Sequence, residues 1–358
     1  MAKSIMVTGA GGSPSTNFVR SLQEAPESFY LIGTDSDKYA LQRAETNERY
    51  LIPSANENDY LEILKQYVEE THPDFIHAQP DEEVFQISKH RHEIGVASFL
   101  PKHETIEICQ NKVESYRKWM KAGLRVPRTL LINSEEDLKQ AFEEIGSKLW
   151  LREIRGAFGK GSIVAEDISL ARAWIDSRNG WGKFSAARCL LPKSVTWLSI
   201  WKEGELIVAQ GRERLYWEFA NRSPSGVTGI TGAGVTFSNS TLDELAKKAI
   251  FAIDKEPNGI FGVDLTYDEQ GVPNPTEINV GRFFTTHHFF TRAGLNMPYI
   301  YVKLGLGERV PSISNKINPL TPGLCWIRGM DFRPVLTDLN HIEMFEAELN
   351  RRRKSLRN

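Results

Sequence analysis

Short apolar runs alternate with longer amphipathic stretches through the first hundred residues. Residues 4–8 read as a strand ending in Gly9-Ala10-Gly11-Gly12, 17–23 as a helix, and 29–33 as a second strand closed by Thr34-Asp35. In 59–70 the apolar residues Tyr60, Ile63, Leu64, Tyr67 and Val68 recur near helical spacing. Residues 74–78 predict a strand, 81–92 a helix, 96–100 a short strand into Pro101, and 104–122 a helix stopped at Gly123. Strands alternating with helices predict βαβ units on a parallel sheet.

From Arg128 onward the pattern changes to strands, glycine turns and fewer helices, an α+β unit. Residues 134–145 predict a helix capped by Ser134, with Asp137 three residues on. Residues 148–154 and 162–165 read as strands around a glycine-rich turn, and 195–201 and 205–210 as a hairpin over Lys202-Glu203-Gly204. Residues 241–253 predict a helix; 260–267 and 276–280 predict strands joined by Asp268-Glu269-Gln270-Gly271. The C-terminal stretch is Pro-rich, then helical, and its basic run Arg351-Arg352-Arg353-Lys354 reads as a solvated helix end.

Length divides this pattern. A chain of 358 residues exceeds the ~250–300 that one core usually supports, so two or three packed units are expected. Lys and Arg number 44 against 46 Asp and Glu, a net charge of −2, which makes no bulk case for nucleic acid or membrane. No apolar run approaches the ~20 residues of a spanning helix, and the N-terminus lacks the features of a signal peptide. Cys109, Cys189 and Cys325 are widely separated and not in CxxC spacing, so a reducing, cytoplasmic setting is expected.

Three clusters carry candidate chemistry. The first is Gly9-x-Gly11 between strand and helix with Asp35 ending the next strand, the geography of a dinucleotide site. Pro14 stands where the third glycine belongs, and residues 13–16 are expected to widen the turn. The second runs from Arg152 through Gly156, Gly159, Lys160 and Gly161 to Ser162. Its glycines let backbone N–H groups close over phosphate oxygens, Lys160 and Ser162 add donors, and Arg152 near a strand end suits bidentate contact. It is not a Walker A loop, because Gly161 follows Lys160 where Ser or Thr is required. The third is the pair of strands holding Asp264, Glu277 and Asn279. Strand periodicity puts Glu277 and Asn279 on one face. A two-residue turn at Gln270-Gly271 sets Asp264 opposite Glu277. Facing carboxylates repel unless a cation lies between them, and hard oxygen donors suit Mg²⁺ arriving with a nucleotide. His287-His288 reads as packing or substrate contact, Arg282 as a phosphate neutraliser or a partner of Glu277, and Asp81-Glu82-Glu83 as an acidic first helical turn.

Taken in order, these clusters resemble the ATP-grasp superfamily, in its carbamoyl-phosphate-synthase-like carboxylate–amine ligase branch. The most specific signature is Glu277-Ile278-Asn279-Val280-Gly281-Arg282 followed by an aromatic. The resemblance implies α/β then α+β architecture: a parallel-sheet, Rossmann-like pre-ATP-grasp domain over 1–107, a nucleotide-lid lobe over 108–190, a Mg²⁺/ATP lobe over 191–310, and a C-terminal extension over 311–358. It implies ATP and Mg²⁺, with Lys112, Arg152 and the lid residues Gly156, Gly159, Lys160, Gly161 and Ser162 at the phosphates. Hinge backbone at Cys189, Leu190 and Leu191 would hold the adenine, and Asp264, Glu277 and Asn279 the metal. Arg152, Lys160 and Arg282 would stabilise the transferring phosphoryl group. The implied reaction joins a small carboxylate, activated as an acyl phosphate, to an amine. The region 187–195 lacks the carboxylates the family places for the ribose. A nucleotide-binding protein without turnover is the alternative, and an NAD(P) oxidoreductase a third reading. A homodimer is a further expectation. Trp326, Arg328 and the two histidines are candidates for an acceptor pocket.

Overall fold

The computed structural model describes residues 2–156, 159 and 161–357. Strands β1 (Lys3–Val7), β2 (Phe29–Asp35), β3 (Glu48–Leu51) and β4 (Phe75–His77) form a parallel sheet in the order β3-β2-β1-β4. Helices α1 (Ser13–Gln23), α2 (Lys38–Leu41), α3 (Tyr60–Thr71), α4 (Asp81–Lys89) and α5 (Arg91–Ile94) accompany it. Met6 packs into one hydrophobic cluster while Ile5 and Val7 pack into another. The continuous apolar run of β1 therefore reflects a sheet covered on both faces.

Three local expectations need correction. Residues 13–16 form the first turn of α1 instead of widening the loop, because Pro14 sits where its missing N–H costs nothing. The strand expected over 96–100 shrinks to a single bridge between Ala97 and Phe75, closely bracketed by left-handed Gly95 and Pro101. The helix expected over 104–122 is two, α6 (His103–Cys109) and α7 (Lys112–Lys121). The Asn111 side chain accepts from the N–H groups of Val113 and Glu114 and starts the second.

Strands β5 (Thr129–Ile132), β6 (Leu149–Glu153), β7 (Ile163–Ala165) and β8 (Phe184–Arg188) form an antiparallel sheet ordered β5-β8-β6-β7. Helices α8 (Glu135–Ile145) and α9 (Ile168–Asp176) close a separate core on it. The largest sheet is antiparallel and ordered β13-β12-β9-β10-β11-β14. It is built from β9 (Ser194–Lys202), β10 (Glu205–Trp217), β11 (Thr231–Phe237), β12 (Gly259–Tyr267), β13 (Pro273–Val280) and β14 (Cys325–Ile327). Helices α10 (Ser240–Phe251), α11 (His288–Arg292), α12 (Met297–Gly305) and α13 (Leu339–Ser355) complete the chain.

This sheet and the N-terminal domain share cores: Phe18 and Phe75 pack in one cluster with Leu198, Ile260 and Tyr301. The basic C-terminal run is solvated only at Arg351 and Lys354. It docks α13 on the N-terminal domain, with Arg352 paired to Glu70 and lying 4.3 Å over Tyr67, and Arg353 bonded to Asp59 and Glu57. Among the described residues, no helix is long and apolar enough to cross a membrane.

Candidate functional site

The β12–β13 hairpin places Asp264 directly opposite Glu277, as expected, but by a different route. Asp268 N–H donates to the Val272 carbonyl at 3.0 Å. The loop is therefore the three residues Glu269-Gln270-Gly271, with Gly271 at φ +73. A register shift between Asp264 and Leu265 leaves Thr276 without an opposite residue. The longer loop and the bulge each move the register by one, and the two offsets cancel. Pro273 and Pro275 are accommodated because β13 is an edge strand.

The expected repulsion across this pair is absorbed by neighbours. Asp264 accepts from Thr196 Oγ1 at 2.5 Å and Asn279 Nδ2 at 3.0 Å. Glu277 faces Lys112 Nζ at 3.5 Å and Arg152 Nη1 at 3.9 Å. Burial would raise the Glu277 pKa, but Lys112, Arg152 and Arg282 outweigh it and hold it below the usual glutamate value. Burial lowers the pKa values of Lys112 and Arg152, against the pull of Glu277.

Lys112 is placed by secondary structure. It opens α7, its N–H donates to the Ile154 carbonyl at 3.0 Å, and its Nζ donates to the Gly156 carbonyl at 2.7 Å. Further along α7, the buried Trp119 indole donates to the Ala249 carbonyl at 2.9 Å and ties the helix to α10. Arg152, at the end of β6, donates to the Thr276 carbonyl at 3.0 Å, and among the described residues its Nε has no partner.

These groups wall a cavity of about 500 Å³ between the two antiparallel sheets. Lys112, Asp264 and Glu277 line it, with Arg152, Gly156, Gly159 and Ser162 from the glycine segment and Cys189, Leu190 and Leu191 from the hinge. Gly159 needs its missing side chain: a Cβ there would lie 2.5 Å from the Val227 carbonyl oxygen. Ser162 Oγ donates to the Gly159 carbonyl and bonds Ser225 Oγ, so it braces the loop. Lys160 lies outside the described residues. Gly161, Asn279 and Arg282 stand outside the wall. Arg282 pairs with Asp81 in the first turn of α4, not with Glu277, and donates to Asn279 Oδ1 at 2.7 Å. Its charge is opposed by burial but upheld by Asp81, leaving its pKa raised.

Sequence reasoning missed Arg214, Trp150 and Trp217, which also line the cavity. Arg214 lies 3.5 Å over the Trp217 ring and bonds Ser194 and Thr231. Burial pushes its pKa down to about 10, with Asp264 and Glu277 pulling upward. The signal was present in Arg212-x-Arg214: continuing the strand beyond residue 210 puts both guanidinium groups on one face. The histidines are packed. His287 bonds the Phe284 carbonyl at 2.7 Å and His288 bonds Glu24 at 2.9 Å. Trp326 stacks on Phe289. In the first glycine turn, Gly11 N–H donates to Asp35 at 2.9 Å.

No family model and no curated protein matches the sequence. Solved structures do match. The biotin carboxylase domain of Hydrogenobacter thermophilus 2-oxoglutarate carboxylase, in complex with MgADP and bicarbonate, is 17% identical with a TM-score of 0.71, over 91% of this chain and 73% of that one. Carboxyaminoimidazole ribonucleotide synthase from Aspergillus clavatus, complexed with ATP, is 16% identical with a TM-score of 0.68, over 90% and 80%. The L-amino acid ligase of Bacillus licheniformis is 12% identical with a TM-score of 0.66, over 85% and 74%. Likeness at this identity is likeness of fold, and the fold of this chain is the ATP-grasp fold preceded by a Rossmann-like domain.

Proposed function

We propose that the protein is an ATP- and Mg²⁺-dependent ligase that activates a substrate carboxylate as an acyl phosphate and joins it to an amine, releasing ADP and phosphate. The observation that carries this reading is the single cavity in which Lys112, Arg152 and Arg214 face Asp264 and Glu277 beside a glycine loop and a hinge. Solved structures of the same fold hold MgADP with bicarbonate, or ATP, which supports the nucleotide assignment. The amine acceptor rests on the sequence resemblance and on the fold of the amino acid ligase.

The residues fit a metal that arrives with phosphates. Among the described residues, no three His, Cys, Asp or Glu are grouped to hold an ion unaided. Mg²⁺ keeps several waters and needs only one or two protein carboxylates beside nucleotide phosphates. Asp264 and Glu277 would supply those. Asn279 would reach the ion only after its carboxamide turns from Arg282. Bound there, the ion would neutralise phosphate charge and polarise the γ-phosphoryl group.

Lys112, Arg152 and Arg214 would take the charge that develops on the transferring group, in a site that is already ordered and partly desolvated. The glycine loop over the cavity would keep water from the acyl phosphate. Calorimetry with MgATP, followed by an ADP-release screen over amino acids, sugar acids and small peptides, tests the reading. Protein that binds no MgATP would sink it. ADP release unchanged by any carboxylate would leave only nucleotide binding.

A further inference from the structure

Residues 328–338 connect β14 to α13 without regular secondary structure. Met330, Val335 and Leu336 in this segment face outward, so apolar burial does not hold it. Its main anchor is the Asp331 carboxylate, which accepts from Ser13 Oγ, from Asn17 Nδ2 at 3.3 Å, and from Arg328 through Nε at 3.1 Å and Nη2. The Asp331 carbonyl accepts from Arg20, and Phe332 lies 4.1 Å under Arg43. Ser13 opens α1, whose Gly12 cap offers no side chain. An anion supplied from the far end of the chain thus meets the positive end of an eleven-residue helix.

A second observation points to anion binding at the same junction. Arg212 is 1% exposed and lies 4.9 Å over the Phe284 ring, and among the described residues it forms no ion pair and has no partner for its Nε. Its Nη1 and the Nε of Arg214 both donate to Thr231 Oγ1, at 2.9 and 3.0 Å, while Arg328 Nη1 donates to the Thr231 carbonyl at 3.4 Å. Three guanidinium groups converge on one threonine, and among the described residues only Arg328 is paired with a carboxylate. Buried cations without counter-charge are costly unless a ligand supplies it. Through Arg212 Nη2 and Thr196 the junction also connects to Asp264 in the cavity wall.

We propose that Asp331 occupies, from within the chain, a subsite for a substrate carboxylate, and that residues 329–338 are a strap which such a substrate displaces, while Arg328 stays on β11 through its N–H bond to the Gly232 carbonyl. The exchange replaces one carboxylate by another on Ser13, Asn17 and Arg328, and gives up the strap's contacts with Arg20 and Arg43. Asp331 then acts as an internal competitor that weakens apparent affinity by the fraction of closed strap. The inference rests on the proposed function only in calling the ligand a substrate.

The test uses full-length wild type, D331N and R328M, with succinate and L-glutamate as probes and inorganic phosphate as control. D331N is expected to bind at least one carboxylate probe about tenfold tighter than wild type, and R328M to bind neither. Chymotrypsin is expected to cut within the strap faster in D331N, and faster in wild type when an excess of the bound probe is added. An affinity within twofold of wild type, a gain for phosphate alone, or strap cleavage at the wild-type rate in D331N overturns the proposal. Should D331N fail to fold, wild-type cleavage that ignores both probes overturns it. MgATP titrated into the same samples separates the two readings: nucleotide binding without a carboxylate effect removes only the strap, and the reverse removes only the ligase.

Discussion

Two glycine-rich turns in this chain look alike in sequence and end differently. Each follows a strand and has an acidic residue close by. The first is packed shut by the chain itself. A Cβ on Gly11 would lie 1.9 Å from the Ala40 carbonyl oxygen, Pro80 presses on Gly9, and Asp35 takes the Gly11 N–H. The second opens on a cavity of about 500 Å³ with cations along its wall. Glycine reports that backbone needs room. What fills the room, backbone or a space with charged walls, separates a packing turn from a binding loop.

The largest expected effect lies at the open turn. Glu277→Gln with Asn279→Ala should lower ADP release about 10³-fold, or ~4 kcal/mol of barrier, with circular dichroism unchanged. Activity within a few-fold of wild type would remove the cavity from the chemistry. At the closed turn, Gly11→Ala should cost about 3 kcal/mol in urea unfolding, because the methyl meets backbone that cannot swing away. Its nucleotide affinity, measured on folded protein, should equal wild type; a lost affinity would make the first turn part of the nucleotide site.

A pH effect belongs to the closed turn as well. Glu83 lies beside Gly9, with its carboxyl pushed up to about 8 by burial and by the Asp35 charge. Between its unfolded value of 4.5 and about 8, the folded state holds a proton that the unfolded chain releases. Stability therefore falls as pH rises through this window, by up to about 1.4 kcal/mol per pH unit. Urea unfolding across this range should show the slope in wild type and lose most of it in Glu83→Gln. The smallest effect is at the docked tail. Arg353→Ala should cost about 0.5–1 kcal/mol and shrink in high salt, since its bonds to Asp59 and Glu57 are half-exposed.

Parts of this site were legible because they are local. The alternation in 260–267 and 276–280 sets which side chains share a face, so Asp264 and Glu277 met as expected. Even there, the match survived a wrong turn length only because the Thr276 bulge restored the register. Asn111 broke a helix whose apolar pattern ran through it, since a side-chain cap competes locally with helix continuation. Arg214 was passed over because β10 continues past the point where its apolar alternation fades; pairing with β9 and β11 carries it. The basic C-terminal run found partners because acidic side chains nearly three hundred residues away in sequence meet it in space.

The order of residues alone specified the parallel N-terminal sheet, the antiparallel unit after it, the glycine loop and the three oxygen-bearing side chains. Periodicity and turn chemistry act over a few residues and can be read there. Folding in three dimensions decided the rest. It gave Glu277 to Lys112 and Arg152, gave Arg282 to Asp81, brought Arg214 into the cavity, and set Asp331 on the first helix. Those choices join residues about 125 to more than 300 apart. They depend on how lobes pack and which charges must be neutralised once water is excluded, and neither is written in any local pattern.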